Sequence, residues 1–220
     1  DRLAKLTEKG SINIMLDKME RQQELEYENE ARFNHLHAIG KHIEDTLREK
    51  IGSDLIQVDN PMRTEGNTIV EDVQNGQDIV VRIKNGEEWV DIFYVEVKSK
   101  WDFSEPAHMS TRQVRMAALH PNEYALCCVD LRKHKHEDLE NLPTEIILEC
   151  TNVKMGIGEI LNPMLKAILE ADNRSDDEQI KISEYRSNMG ASIFEKGDSL
   201  DVLLNTIETK IRQKLSSMSS

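Results

Sequence analysis

The segment FYVEVKSKW, residues 93–101, alternates apolar and ionisable side chains in a short run. Successive side chains of a β-strand point to opposite faces, so Glu96 and Lys98 share one face of this strand while Val95 and Val97 share the other. On a bare solvent face such an ion pair has little energetic consequence. If the face lines a cleft, the carboxylate and the ammonium are the beginning of an active site.

A second strand is predicted beside the first, because Asn85-Gly86 is a strong turn signal between the runs DIVVRI and WVDIFYVEVKSK. Residues 78–98 are therefore predicted to form a hairpin. If the turn centres on the glycine and the residue after it, Asp78 falls opposite residues 93–95 of the second strand, and Glu96 is a near neighbour.

Two carboxylates brought together at strand ends predict a site for a hard divalent cation. Asp78 and Glu96 offer oxygen ligands of the kind that Mg²⁺ prefers, and Lys98 adds a cation that could act on a metal-bound water. Asp72 competes with Asp78 as the second carboxylate. Asp78 is favoured because it directly precedes the apolar residues IVV.

The remaining patterns predict helices and further strands around this hairpin. Residues 1–30 carry apolar residues at mostly three- and four-residue steps, which indicates a helical arm with a break near Gly10-Ser11. Other helices are predicted at 29–50 with a stop at Gly52, at 110–119, at 157–171 and at 199–215. Strands are predicted at 55–59, 67–73, 123–131 and 144–150. A second hairpin is predicted within 180–197. This order predicts an α/β or α+β fold with a small mixed sheet flanked by helices.

The chain is expected to divide into three parts. These are an N-terminal helical arm at 1–30, a core at 31–152 and a C-terminal helical extension at 153–220 that packs on the core. The first residue is Asp1 and no secretory signal follows it, so we expect further domains of a parent protein.

Composition argues against several functional classes. Among the 220 residues 38% are hydrophobic and 31% charged, and no apolar run approaches the roughly 18 residues of a spanning helix, so we expect a globular cytoplasmic protein without a membrane partner. Cys127, Cys128 and Cys150 offer neither a disulfide framework nor a C-x-x-C metal motif.

The net charge of −13 speaks against a basic surface for nucleic acid. Much of the negative charge lies near the ends, however, and the run KSK with Arg112 and Arg115 predicts a small basic strip beside the motif. A homodimer or missing domains could supply the rest of the contact with DNA.

Together these residues resemble the PD-(D/E)XK nuclease superfamily, in which an Asp opens the second core strand and E-x-K closes the third. Asp78 and Glu96-Val97-Lys98 occupy those places. The superfamily often adds a glutamate on the first helix, and Gly40-Lys41-His42-Ile43-Glu44 is similar to its G-x-x-x-E start. The resemblance implies a restriction-endonuclease-like core and a Mg²⁺- or Mn²⁺-dependent endonuclease that cuts DNA in preference to RNA, as the effector part of a defence-type or other multidomain protein.

Within that superfamily, residues 35–132 are most similar to the domain named for the C-terminal part of the protein NO VEIN. In that domain E-V-K-S is followed by a Ser-led helix and a Y-x-L strand. The resemblance implies that Asp78, Glu96 and the carbonyl of Val97 hold the metal and that Lys98 orients or activates water, with support from Glu44 and from Gln113 or Ser110 on the next helix. That group tends to carry Glu where this chain has Gln113, which cannot be a charged ligand.

Rival interpretations also fit the sequence. The domain could be a catalytically inactive interaction module of a larger ATPase- or chaperone-like protein, or a nuclease relative that binds nucleic acid without cutting. The His35/His37 and His134/His136 pairs are expected to be surface histidines, and Gly156-x-Gly158 a simple helix entry.

Overall fold

The computed structural model describes residues 9–57, 68–71, 78–101, 107–134, 141–174 and 187–218. The chain forms two compact units, Asp1–Lys41 and His42–Ser220. In the first unit every described residue is helical, and in the second a mixed sheet and helices build the core. The described helices include none that is both long and apolar enough to cross a membrane.

Helices and strands are interspersed along the described part of the chain. From the N-terminus they are α1 (Lys9–Gln57), β1 (Thr68–Glu71), β2 (Ile79–Asn85), β3 (Glu88–Lys100), β4 (Ala107–Met109), α2 (Thr111–Leu119), β5 (Tyr124–Asp130), α3 (Thr144–Glu149), β6 (Thr151–Met155), α4 (Ile157–Arg174), β7 (Ser187–Met189), α5 (Ser192–Glu195) and α6 (Leu200–Met218).

Among the described residues, the main sheet has five strands in the order β1-β2-β3-β5-β6. Only the pairing of β3 with β5 is parallel, and the other neighbours are antiparallel. A separate two-stranded ribbon joins β4 to β7. Helices and a mixed sheet in one chain confirm the predicted α+β class.

One face of the sheet carries a buried apolar cluster. Strand residues Tyr94, Tyr124 and Leu126 pack there with Val114 of α2 and Leu161 of α4. Helix α6 contacts β2, β3 and β6 and buries Leu203, Ile207 and Ile211. Because helices cover the sheet, the interior strand β5 is buried along almost its whole length, as its continuous apolar run predicts.

The hairpin prediction is confirmed, with β2 and β3 joined at a turn in which Gly86 has φ of +64°. The helix starting after Ser110 is confirmed as well, and so are α4 and α6 near their predicted bounds.

The predicted break at Gly10-Ser11 and the stop at Gly52 are wrong, because α1 runs through both positions to Gln57. A single glycine costs a helix only about 1 kcal/mol. Past Gly52 the buried stripe continues from Ile51 to Leu55, and this packing outweighs the cost. Consequently residues 55–57 are helical rather than part of a strand.

Two further predictions are wrong for tertiary reasons. The run TEIILEC is mostly helix α3, in which only Ile147 is buried, and the strand follows it as β6. Within 180–197, Ser187–Met189 does not form a local hairpin but pairs with the distant Ala107–Met109. Residues 180–186 of that prediction lie outside the described residues.

Candidate active site

Strand β3 places the predicted pair on one face of the sheet. Glu96 and Lys98 stand two residues apart, and their neighbours across the parallel pairing are Leu126 and Cys128 of β5. The Glu96 side chain is fully buried, whereas that of Lys98 keeps 20% of its exposure. The alternative of an exposed surface ion pair is therefore wrong.

A β-bulge in β3 brings Asp78 to the same face. Arg82 pairs with Asp91 but Val81 pairs with Phe93, so Ile92 has no partner in β2. Beyond this bulge Ile79 lies opposite Val95, and one more step in the same register sets Asp78 opposite Glu96. Opposite residues of an antiparallel pair share a face, and a shift of one residue would move Asp78 to the other face.

A hydrogen bond anchors Asp78 at this position. The backbone N–H of Val97 donates to Asp78 Oδ2 at 2.7 Å. Asp78 lies just before β2, and its charge helps to raise the pKa of the Glu96 carboxyl, after burial, which is the larger cause. The prediction that Asp78 is a near neighbour of Glu96 is thus confirmed, although it lies opposite residue 96 rather than 93–95. Asp72, the competing carboxylate, lies outside the described residues.

Glu96 is surrounded by donors. Lys98 Nζ and Gln113 Nε2 both donate to Glu96 Oε1, and the Tyr124 hydroxyl approaches Glu96 Oε2 at 3.5 Å. A buried carboxylate needs such partners because burying an unpaired charge is costly. Three side chains, from β3, β5 and α2, therefore meet at a single carboxyl group.

The N-terminal capping box of α2 fixes the direction of the Gln113 amide. The backbone N–H of Ser110 donates to Gln113 Oε1 at 2.8 Å, and the Gln113 N–H donates to Ser110 Oγ at 3.3 Å. With its oxygen held by Ser110, the amide can present only its NH₂ group to Glu96. Ser110 contributes to the site through this cap, and Gln113 is the residue of α2 that contacts Glu96.

Burial raises the pKa of the Glu96 carboxyl well above its usual value, and the neighbouring Asp78 charge adds to the effect while Lys98 opposes it. Burial by itself would lower the pKa of Lys98, but the carboxylates of Glu96 and Asp78 reverse this and raise it. Lys98 is therefore a cation at neutral pH, and Glu96 and Asp78 compete for a compensating positive charge.

Glu44, the candidate from the first helix, is half-buried on α1. Its charge is one of those that raise the pKa of Lys98, which brings it near the site. Lys98 and Gln113 therefore contact Glu96 directly, and Asp78 is held beside it by the Val97 N–H. Glu44 acts on Lys98 through its charge.

Asp78 and Glu96 are oxygen ligands of the kind that Mg²⁺ prefers. The two carboxylates lie close together, and a divalent cation would offset the negative charge of both. Mg²⁺ in proteins is commonly held by one or two carboxylates and keeps several waters. The described residues contain no cluster of three or more His, Cys, Asp or Glu positioned for a metal. Asp78 and Glu96, with the Val97 carbonyl, would hold the ion.

Tyr124 is the site residue that the sequence prediction missed. It opens β5 directly opposite Tyr94 of β3 and is fully buried. Burial, followed by the Glu96 charge, raises the pKa of its hydroxyl, so Tyr124 remains a hydrogen-bond donor. A lone polar atom at the start of an otherwise apolar strand was the available signal.

The basic strip is smaller than predicted. Arg112 and Arg115 are exposed on α2, but the exposed fraction of Lys100 is only 7%. Gly158 has a packing role, because a Cβ there would lie 2.0 Å from the Ala117 carbonyl oxygen. This close approach of α4 to α2 accounts for the glycine of the G-x-G pattern.

Residues 49–140 match the family model described as Protein NO VEIN, C-terminal. The match covers the hairpin, α2 and β5, which carry every site residue except Glu44, and it confirms the predicted likeness to that domain. No curated protein and no solved structure matches the chain.

Proposed function

We propose, from the match of residues 49–140 to the NO VEIN C-terminal family and from the Asp78–Glu96–Lys98 site, that this chain is a metal-dependent nuclease domain of the PD-(D/E)XK type. Its reaction is hydrolysis of phosphodiester bonds, with DNA as the preferred substrate. It acts in the cytoplasm as the effector part of a larger defence-type or other multidomain protein.

One observation carries the proposal: a β-bulge places two carboxylates next to each other on one face, with a lysine ammonium on the second of them. Such close like charges are unfavourable for stability unless a cation compensates them. A strained arrangement of this kind is typical of functional sites.

The chain's own residues have distinct roles in the proposed reaction. Asp78 and Glu96 would hold Mg²⁺ or Mn²⁺, which when bound supplies an activated water and offsets phosphate charge. Lys98, held in its cationic form by the carboxylates, orients that water and the scissile phosphate. Gln113 and Tyr124 keep the Glu96 carboxyl in one orientation, and Glu44 adds negative charge near Lys98.

Binding of a polyanion needs positive charge on the adjoining surface. Exposed Arg112 and Arg115 lie on α2, on either side of Gln113 in sequence. They are few, which fits a domain that relies on a second copy or on further domains of the parent protein for most of its affinity.

The test is cleavage of plasmid and single-stranded DNA by the full chain with Mn²⁺ or Mg²⁺. We expect products from the parent chain and none from Glu96→Gln or Lys98→Ala. Glu88→Gln is the matched control, since Glu88 lies on the same strand but is exposed. Equal cutting by all variants, or by samples treated with chelator, would show that another nuclease is responsible.

A second candidate is the non-cleaving interaction module. The observation that favours it is the complete burial of Glu96, which a metal can reach only if a neighbouring side chain moves. Such a module binds no divalent cation at this site, so calorimetric titration with Mg²⁺ or Mn²⁺ separates the two functions. A heat of metal binding that is measured for the parent chain and lost in Glu96→Gln supports the nuclease function.

A further inference from the structure

A large apolar groove opens between α4, the β4–β7 ribbon and the end of β6. Its cavity volume is about 650 Å³. Clefts that bind drug-sized ligands are typically about 300–1,000 Å³ and mostly apolar. The groove is separate from the proposed active site, since none of the proposed metal-holding or proton-handling residues lines it.

The floor of the groove is buried and its outer wall is exposed. Met109 and Met189, from the two strands of the ribbon, are almost completely buried. Ile160 and Met164, one helical turn apart on α4, are exposed by 64% and 52% although both are large and apolar. Methionines adapt to irregular ligands because their side chains are flexible and polarizable. Such a wall would gain stability by covering its apolar surface.

The only charged side chains that line the groove within the described part of the chain are two lysines. Lys154 lies on β6 and Lys196 just after α5. Neither forms an ion pair with any described carboxylate. An apolar cleft whose described lining carries two lysines and no acid is complementary to a ligand that has an apolar body and an anionic head.

We propose that this groove binds a small anionic amphiphile, with its hydrocarbon part between α4 and the methionines and its carboxylate or phosphate head on Lys154 and Lys196. The binding is non-covalent and does not depend on the proposed nuclease activity. A cationic or neutral amphiphile lacks the charge that the two lysines complement.

The test uses the full chain and the fluorescent probe 8-anilinonaphthalene-1-sulfonate, which is apolar and anionic. We expect saturable fluorescence that laurate or dodecyl phosphate displaces and that dodecanol displaces poorly. The relative potency of laurate and dodecyl phosphate shows which head the site prefers. Losing one charge-assisted contact weakens binding about tenfold, so Lys154→Met combined with Lys196→Met is expected to weaken laurate binding at least that much.

Two surface variants locate the binding site. Ile160→Glu puts a negative charge at the groove, and Leu119→Glu makes the same kind of change at a residue that is 71% exposed and does not line it. We expect Ile160→Glu alone to abolish displacement by laurate, with the melting temperatures of both variants close to that of the parent chain. Because both positions are exposed, neither variant should unfold the domain.

Several outcomes would overturn the proposal. They are an absence of probe binding, equal effects of Ile160→Glu and Leu119→Glu, equal potency of dodecanol and laurate, and binding to anionic vesicles without binding to monomeric laurate. Ile160→Glu is expected to cleave DNA as the parent chain does, whatever its effect on laurate binding, so a failure of the groove proposal is distinct from a failure of the nuclease proposal.

Discussion

Removal of the Lys98 ammonium tests whether the buried Glu96 charge is held by that lysine. The substitution Lys98→Met keeps most of the aliphatic volume and removes the donor to Glu96 Oε1. At pH 8 the remaining carboxyl group is fully buried beside Asp78, so it must either stay charged without its main cation or take up a proton.

The expected cost follows from the burial of the pair. Breaking a buried ion pair by removing one partner costs about 3–5 kcal/mol. Lys98 retains 20% exposure, so we expect the lower end of that range, about 3 kcal/mol at pH 8. At pH 5 the cost is smaller, because the raised pKa of Glu96 lets it protonate and become neutral.

A double-mutant cycle with Glu96→Gln isolates this interaction. Glu96→Gln removes the buried charge, so adding Lys98→Met to it should cost little, and the coupling free energy at pH 8 should be about 3 kcal/mol. The assay is urea unfolding in chelator at pH 5 and pH 8, with an unchanged dependence on urea concentration as the check on two-state behaviour.

The control cycle uses Lys84→Met and Glu88→Gln, two exposed positions at the turn end of the same hairpin. Exposed charges contribute about 0–1 kcal/mol, so that cycle should show almost no coupling. A coupling at pH 8 that does not exceed the control, or that is larger at pH 5, would refute the assignment of Lys98 as the counterion of Glu96.

Three other predictions concern pH, the capping box and helix packing. The raised pKa of Glu96 gives the parent chain stability that is present at low pH and is lost as the pH rises through the folded-state pKa. Glu96→Gln does not titrate, so its stability relative to the parent chain should increase from pH 5 to pH 8. Urea unfolding without metal measures this difference. Ser110→Ala should lower the free energy of unfolding by about 1 kcal/mol, because it removes the cap of α2. It should also weaken Mn²⁺ binding measured by calorimetry, because Gln113 loses its fixed orientation. Unchanged metal affinity would contradict that role of the cap. Gly158→Ala should destabilise the domain by more than about 1 kcal/mol in thermal unfolding because of the contact at 2.0 Å, whereas Gly40→Ala, with nothing within 4 Å, should be neutral or stabilising.

Local patterns were sufficient for much of the fold. The turn at Asn85-Gly86 and the alternation in 93–101 predict the hairpin because glycine at positive φ and a two-residue period depend only on neighbouring residues. The capping box at Ser110 and the buried run of β5 are local signals of the same kind. The incorrect predictions, by contrast, involve residues such as Gly52, where long-range packing outweighs a weak local preference.

The candidate site was predictable in composition but not in geometry. Asp78, Glu96 and Lys98 follow from the hairpin, whereas the contact of Gln113 with Glu96 depends on the placement of α2 over the sheet. Tyr124 was missed because its pairing opposite Tyr94 is a parallel, long-range register that no turn sets.

By itself the sequence determined that two strands would form next to each other and that Glu96 and Lys98 would share one face of the second strand, because side-chain period and turn chemistry act over a few residues. Only the tertiary structure decided that Asp78 and Glu96 share a face. That outcome depends on one extra residue, Ile92, whose bulge shifts the register of β2 against β3 by one residue and so turns Asp78 to the face of Glu96. The burial that raises the pKa of Glu96 has the same origin, since helix α2 and strand β5 come from distant parts of the chain.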